Sequence, residues 1–291
     1  MANQKELVRK AEAELKLEEP KVLSPKRSAF LNRARLGGSV DCTDPCVILS
    51  IGQSAGGTTP NDLIITNLPS GNTTSYSHPQ IENGEIAKFG NKFWIHVHGN
   101  PHEFREFELN SNCTATYIRT ISIDQSMFPF NAVNDGVETV NGLAAKDANT
   151  LIIGSVDGTA ISSGPTTGTS SGTLMEVDIS GSTAVFTTLF QIGWVNGDIV
   201  YIPSSNTIAT AEFYPGSGPS GVVAVHYDYS GTILGQASIS GGGVGYSMFC
   251  YEGKVIVNTN AGTKWFDLDT HTIQSYPLNI INAGDQANSS S

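Results

Sequence analysis

The stretch VHYDYSGTILGQA (225–237) decides how this chain is read. Val225 and Tyr227 alternate with His226 and Asp228, the period of two that puts one face of a strand into a core. Asp228 and the Ser230-Gly231 pair then supply a turn, since a short carboxylate bonds backbone N–H groups just ahead of it and glycine accepts conformations other residues avoid. Ile233 opens a second strand. The unit is a hairpin, and it recurs.

Its relatives along the chain are IITNLPSGNTTSY (64–76), EFELNSNCTATYI (106–118), MEVDISGSTAVFT (175–187) and KWFDLDTHTIQSY (264–276). The residues in register are Asn67, Glu108, Asp178, Asp228 and Asp267, spaced by 41, 70, 50 and 39. Upstream of four of them lies a second strand–turn–strand: 84–99, 141–158, 196–214 and 245–262. Two hairpins make a four-stranded unit, which is the blade of a propeller. The first unit is shorter, with CVILSIG (46–52) as its one clear strand before DLIITNL (62–68). Either the N-terminal segment or SYPLNII (275–281) is expected to complete it and close the ring. The expected fold is therefore all-β: a β-propeller of about five four-stranded blades, preceded by a helical N-terminal arm. A degenerate sixth blade is the alternative, hidden in the irregular stretches 124–139 and 159–171.

These repeats resemble β-propeller blades of the WD40, YVTN and PQQ type, in which a strand ends in a hydrophobic–Asp–hydrophobic–Ser/Thr–Gly turn. The resemblance spans about 240 residues and implies the architecture. It implies no subfamily, because neither a Gly-His…Trp-Asp pattern nor a kelch double glycine is present.

Composition agrees with short strands and tight turns. Of 291 residues, 15 % are charged, against roughly 25 % in an ordinary globular protein, while glycine alone contributes 31. The net charge of −11 is unevenly placed. Residues 1–36 carry nine bases and five acids; the rest carries seven bases and 22 acids. An acidic body repels phosphate backbones, so nucleic acid is not an expected partner of it. No run of about 20 apolar residues is present to span a bilayer, and MANQKELVRKAEAELKLEE lacks the apolar segment of a secretory signal. Synthesis in the cytosol without a signal peptide is the expectation.

The chain divides into 1–40, a charged arm; 41–283, the propeller; and 284–291, a tail. Residues 3–19 predict a helix, with Asn3 as N-cap, Glu6 three residues on, and Leu7, Val8, Ala11 and Leu15 as a narrow apolar strip. Pro20 ends it. The segment after it mixes Lys21, Lys26, Arg27, Arg33 and Arg35 with Phe30 and Leu31, a docking arm for another protein or a solvated tail. Met127, Phe128 and Phe130, around Pro129, form a candidate loop contact.

Chemical motifs are sparse. Cys42 and Cys46 (CTDPC) are close enough for a small loop disulfide, but four reduced thiols are expected of a cytosolic chain, and no second close pair completes a zinc site. His96 and His98 share a strand face, with His102 nearby. Such H-x-H pairs resemble iron-binding pairs in phage spikes, yet no acidic ligand accompanies them, and polar-face histidines are expected. Glu85 and Asp198 fall in first strands, with Asp147 near a third, where five-bladed hydrolases place catalytic carboxylates. No flanking Arg or His is placed to tune their acidity. No phosphate loop exists, and GGGVG (241–245) is not followed by a helix. Trp94, Trp194, Trp265, Tyr201, Tyr227 and Tyr229 would be sugar-stacking platforms if exposed.

The resulting expectation is a non-enzymatic structural or adaptor protein, with no catalytic residue, metal or cofactor, anchored by its arm in a larger assembly. The charge-segregated arm and the low-charge Gly/Ser/Thr body resemble a virion component such as a bacteriophage head or tail accessory protein. A glycan-binding propeller is the alternative, and a glycoside hydrolase a more distant one.

Overall fold

Strand β14 (Val222–Asp228, VVAVHYD) shows why these residues form the elements they do. Val223, Val225 and Tyr227 project to one face and pack with Ile152, Leu174 and Ile208. Val222 and Ala224 project to the other and pack with Met248, Val257 and Phe266. A strand buried on both faces reads as a continuous apolar run rather than an alternation. Its neighbour β15 (Ile233–Ile239) sits at a sheet edge and is largely exposed.

The computed structural model describes residues 47–52, 62–68, 70–82, 84–97, 102–124, 140–156, 172–213, 222–239, 247–251, 254–259, 262–277 and 286–287. The chain separates into Met1–Val40 and Asp41–Ser291, and all described residues belong to the second unit. They are all-β, and no helix among them is long and apolar enough to cross a membrane. The predicted helix 3–19, the arm residues Lys21, Lys26, Arg27, Phe30, Leu31, Arg33 and Arg35, and Met127, Phe128 and Phe130 lie outside the described residues.

One four-stranded sheet contains β1 (Val47–Gly52), β2 (Asp62–Asn67), β3 (Thr73–Ser77) and β20 (Gln286–Ala287), in the order β20-β1-β2-β3. An eight-stranded sheet joins two antiparallel meanders. The first is β4 (Gly84–Phe89), β5 (Lys92–Val97), β6 (Glu103–Leu109) and β7 (Ala115–Ile123). The second is β8 (Val140–Ala145), β9 (Thr150–Val156), β10 (Gly172–Asp178) and β11 (Thr183–Ile192). They meet in a short parallel contact between β7 and β11, Ser122 to Thr183 and Ile123 to Ala184. The last two sheets are β12 (Trp194–Ile202), β13 (Thr207–Phe213), β14 and β15, then β16 (Ser247–Tyr251), β17 (Lys254–Thr259), β18 (Gly262–Asp267) and β19 (Thr272–Ser275).

The first strands touch in sequence: β4 meets β8, β8 meets β12, β12 meets β16, β16 meets β20, and β20 meets β4. Side chains fill the junctions. Leu49, Ile51 and Leu63 pack on Ile86, Phe93 and Phe107, with the rings of Phe93 and Phe107 stacked 4.9 Å apart. Trp94 and Phe104 pack on Leu151, Ile153 and Met175. Leu68 packs with Phe249, Tyr251 and Ile256. Each large apolar side chain so buried stabilises by roughly 1.5–3 kcal/mol relative to exposure. The architecture is propeller-like.

All four upstream strand pairs form as read from the sequence, as β4–β5, β8–β9, β12–β13 and β16–β17. The C-terminal segment does join the first sheet, but through Gln286 opposite Ser50 and Ala287 opposite Leu49. These residues lie in the stretch expected to be a tail, whereas Ser275 ends β19. Residues 157–171 connect β9 to β10, which pair directly from Val156 and Gly172.

The hairpin turns follow the register at four of five positions. Asn67, Asp178, Asp228 and Asp267 end β2, β10, β14 and β18. In β6 the turn residue is Asn110, not Glu108. Asn110 N–H donates to Thr114 and Cys113 N–H to Asn110, the same two bonds that Asp228 makes with Thr232 and Gly231. Cys113 holds the left-handed φ of 65° that Gly231 holds at 93°.

Cysteine usage also differs from the expectation of four reduced thiols. Cys113 is disulfide-bonded and Cys250 is a reduced thiol. Cys42 and Cys46 lie outside the described residues.

Candidate functional site

The first strands carry the polar residues nearest the centre of the sheet circuit. Asp198 on β12 is completely buried. Its Oδ1 accepts the Ile199 N–H at 2.7 Å and its Oδ2 accepts the Met248 N–H of β16 at 3.2 Å. This carboxylate therefore spans two sheets and holds first strands together, with both oxygens occupied by backbone donors. Glu85 is buried on β4, opposite His96 of β5. Asp147 lies in the β8–β9 turn rather than on a first strand, and its Oδ1 accepts the Asn149 N–H at 2.8 Å, a turn role.

Other acids are bonded as well. Glu106 on β6 accepts Lys92 Nζ at 2.6 Å and Arg119 Nε at 2.6 Å. Burial favours its neutral form, but the two cations outweigh this and hold the carboxyl below its usual range. Arg119 reaches onward, donating to the carbonyls of Ile179 at 2.7 Å and Gly181 at 2.5 Å in the β10–β11 turn. It ties the two halves of the eight-stranded sheet together. Arg105 donates to Glu103 at 2.7 Å, Glu82 at 2.8 Å and the Gln80 carbonyl at 2.9 Å.

Glu176 accepts Lys146 Nζ at 2.7 Å and the Tyr229 hydroxyl. Burial favours the neutral carboxyl here as well, yet these donors win and lower it. Tyr229 sits at the start of the β14–β15 turn, so this network joins β8–β11 to β12–β15. Burial and the Glu176 contact push its hydroxyl up to about 12. Glu212 on β13 accepts the hydroxyls of Thr210 and Tyr227 and, at 2.9 Å, the Gly193 N–H. Its burial outweighs these donors and raises its pKa.

Two of the three histidines of the WIHVHGNPH stretch are described. His96 is completely buried, with its ring 5.5 Å from that of Phe104; His102 is exposed in the turn before β6, and His98 lies outside the described residues. Among the described residues no group of three His, Cys, Asp or Glu side chains is placed to hold a metal ion. The aromatic platforms fare similarly. Trp94, Tyr201 and Tyr227 are core residues, because each falls on an inward position of a strand buried on both faces. Trp265 is half-buried, with Lys254 Nζ 5.2 Å from the centre of its ring. The side chain of Trp194 lies outside the described residues.

Sequence reading missed the bridges that Arg119, Lys146 and Tyr229 make between four-stranded units. Their partners are 60, 83 and 53 residues away, and no local pattern announces such pairs.

No family model matches this chain, and no curated protein matches it. Similar solved structures exist. A functionally unknown protein from Desulfotomaculum acetoxidans DSM 771 is 14 % identical, with a TM-score of 0.44 over 79 % of this chain and 68 % of that one. A protein of unknown function from Bacteroides caccae is 12 % identical, with a TM-score of 0.39 over 79 % and 72 % of the two chains.

Proposed function

We propose that this chain is a five-bladed β-propeller, closed by β20 against β1, that serves as a non-enzymatic structural or adaptor module anchored by its N-terminal arm. The blade count rests on five apolar clusters, each shared by two neighbouring four-stranded units. In this reading the C-terminus supplies the first strand of the blade that the N-terminus begins, so the ring is fastened by the two ends of one β body.

One observation carries the non-enzymatic reading: Asp198, Glu106 and Glu176 are engaged in hydrogen-bond networks that reach between four-stranded units. Asp198 occupies both its oxygens with backbone N–H groups of two sheets, and Glu106 and Glu176 are paired with cations, of which Arg119 and Lys146 reach the neighbouring unit. A glycosidase needs two carboxyl groups facing a substrate across a gap of about 5–10 Å. The buried aromatic residues likewise weigh against a sugar-stacking surface built from Trp94, Tyr201 and Tyr227.

The disulfide at Cys113 favours a working location outside the reducing cytosol. A virion component made in the cytosol and released to the exterior fits that requirement, as does any exported assembly protein. The deciding experiment compares the full chain with one beginning at Gly38 by light scattering and sedimentation. Assembly by the full chain alone is expected, since the shortened chain keeps every described strand and loses only the basic arm. Identical monomers would overturn the anchoring role.

A further inference from the structure

Two imidazoles meet where the β12–β15 sheet packs on the β16–β19 sheet. His226 projects from β14 on the face it shares with Val222 and Ala224, and it is only 6 % exposed. His271 stands in the β18–β19 turn with a left-handed φ of 52°. His226 Nδ1 and His271 Nε2 are 3.3 Å apart. The remaining nitrogen of His226, Nε2, is buried without a hydrogen-bond partner among the described residues. The ring of His271 also lies directly on Gly235 of β15, where a Cβ would come within 2.1 Å of it. The position is built for this ring.

We infer that the His226–His271 pair is a proton-sensitive latch between these two sheets. While at least one ring is neutral, one facing nitrogen carries a hydrogen and the other accepts it. When both rings are protonated, both facing nitrogens carry hydrogens, and the bond becomes a contact between two cations. The surroundings do little to offset that repulsion. At the positions paired with His226, β13 presents Ala209 and β15 presents Gly235. The turn holding His271 supplies Asp267 and Asp269, but Asp267 is engaged by the N–H groups of Asp269 and Thr270. Lys264 stands towards the other end of β18, opposite Ser275. Cys250, in the same cluster, is a thiol that burial keeps uncharged.

Burial first, and then His271, hold His226 below the ordinary histidine range, with Asp269 opposing. The unfolded chain therefore binds more protons than the folded one. Stability from this site is intact above the unfolded histidine value of about 6.5 and is lost as pH falls through the lower folded value.

The test follows denaturant unfolding of the full chain from pH 8 to pH 5, for wild type, His226→Gln and His271→Gln. The wild-type unfolding constant is expected to rise by up to about tenfold per pH unit for each proton taken up, and both variants to flatten that rise. Variants that keep the wild-type pH profile would overturn the latch. Should a variant not fold, imidazole NMR titration of the wild type decides. Two coupled steps shared by His226 and His271 support the latch, and two independent single-step curves overturn it.

Discussion

Arg119 and Glu106 lie opposite each other on β7 and β6, with Nε 2.6 Å from Oε2. The pair does more than join neighbouring strands. Glu106 is almost fully buried and also accepts Lys92, while the far end of the Arg119 guanidinium holds carbonyls sixty residues away in the β10–β11 turn. A carboxylate that would be costly to bury alone is paired on two sides, and its partner fastens the join between β7 and β11.

Replacing Arg119 with Ala should therefore loosen the join as well as the pair. A double-mutant cycle of Glu106→Gln and Arg119→Ala is expected to give a coupling of about 0.5–3 kcal/mol. Hydrogen exchange should rise at Ser122, whose N–H donates to Ser182 across the join. Additive effects and unchanged exchange there would show that the bridge contributes nothing.

The turn carboxylate Asp228 should titrate far below an ordinary aspartate. Ser230 contributes most, then the Thr232 N–H, and they bring it to about 2. Its folded value is depressed, so what it contributes is present above about 3.8 and lost as pH falls through about 2. Carboxyl NMR titration checks this directly. A Ser230→Ala variant should move the midpoint upward.

Glu212 should behave in the opposite sense. Its folded value is raised by burial, so its contribution is present below about 4.5 and declines as pH rises through the folded value. Glu212→Gln should lose that pH dependence, although its amide nitrogen faces the Gly193 N–H. Glu212→Ala should cost about 1–3 kcal/mol at low pH by leaving the buried hydroxyls of Thr210 and Tyr227 without their acceptor. Unfolding measured from pH 4 to pH 8 separates the two effects.

Cys113 is held in a disulfide, a cross-link that typically stabilises by about 2–4 kcal/mol. Reductant or Cys113→Ser should lower the unfolding midpoint, and Cys250→Ser should not change the response to reductant. Peptide mapping of the non-reduced chain identifies the partner of Cys113. An intact midpoint in reductant would contradict a structural bond.

Much of the β body was legible in the sequence because its rules are local. A strand shows its period, and a turn shows the Asp, Ser and Gly that make it, so the hairpins at Asn67, Asp178, Asp228 and Asp267 stand where the text places them. Glu108 was misplaced by two residues because β6 and β7 stay paired as far as Leu109 and Ala115, across a register shift after Glu106. Apolar alternation does not reveal where a bulge falls. The disulfide at Cys113 was equally hidden, since its neighbours in sequence say nothing of a bonding partner.

What the sequence by itself determined was the strand, the turn and the four-stranded unit, for these follow from side-chain alternation and from backbone bonds spanning a few residues. Tertiary structure alone decided which unit meets which, that Gln286–Ala287 pairs with β1, and which donors Asp198, Glu106 and Glu212 accept. The physical reason is one of range. Apolar burial is undirected and any two such faces satisfy it, whereas the role of a carboxylate depends on the donors that distant strands bring to it.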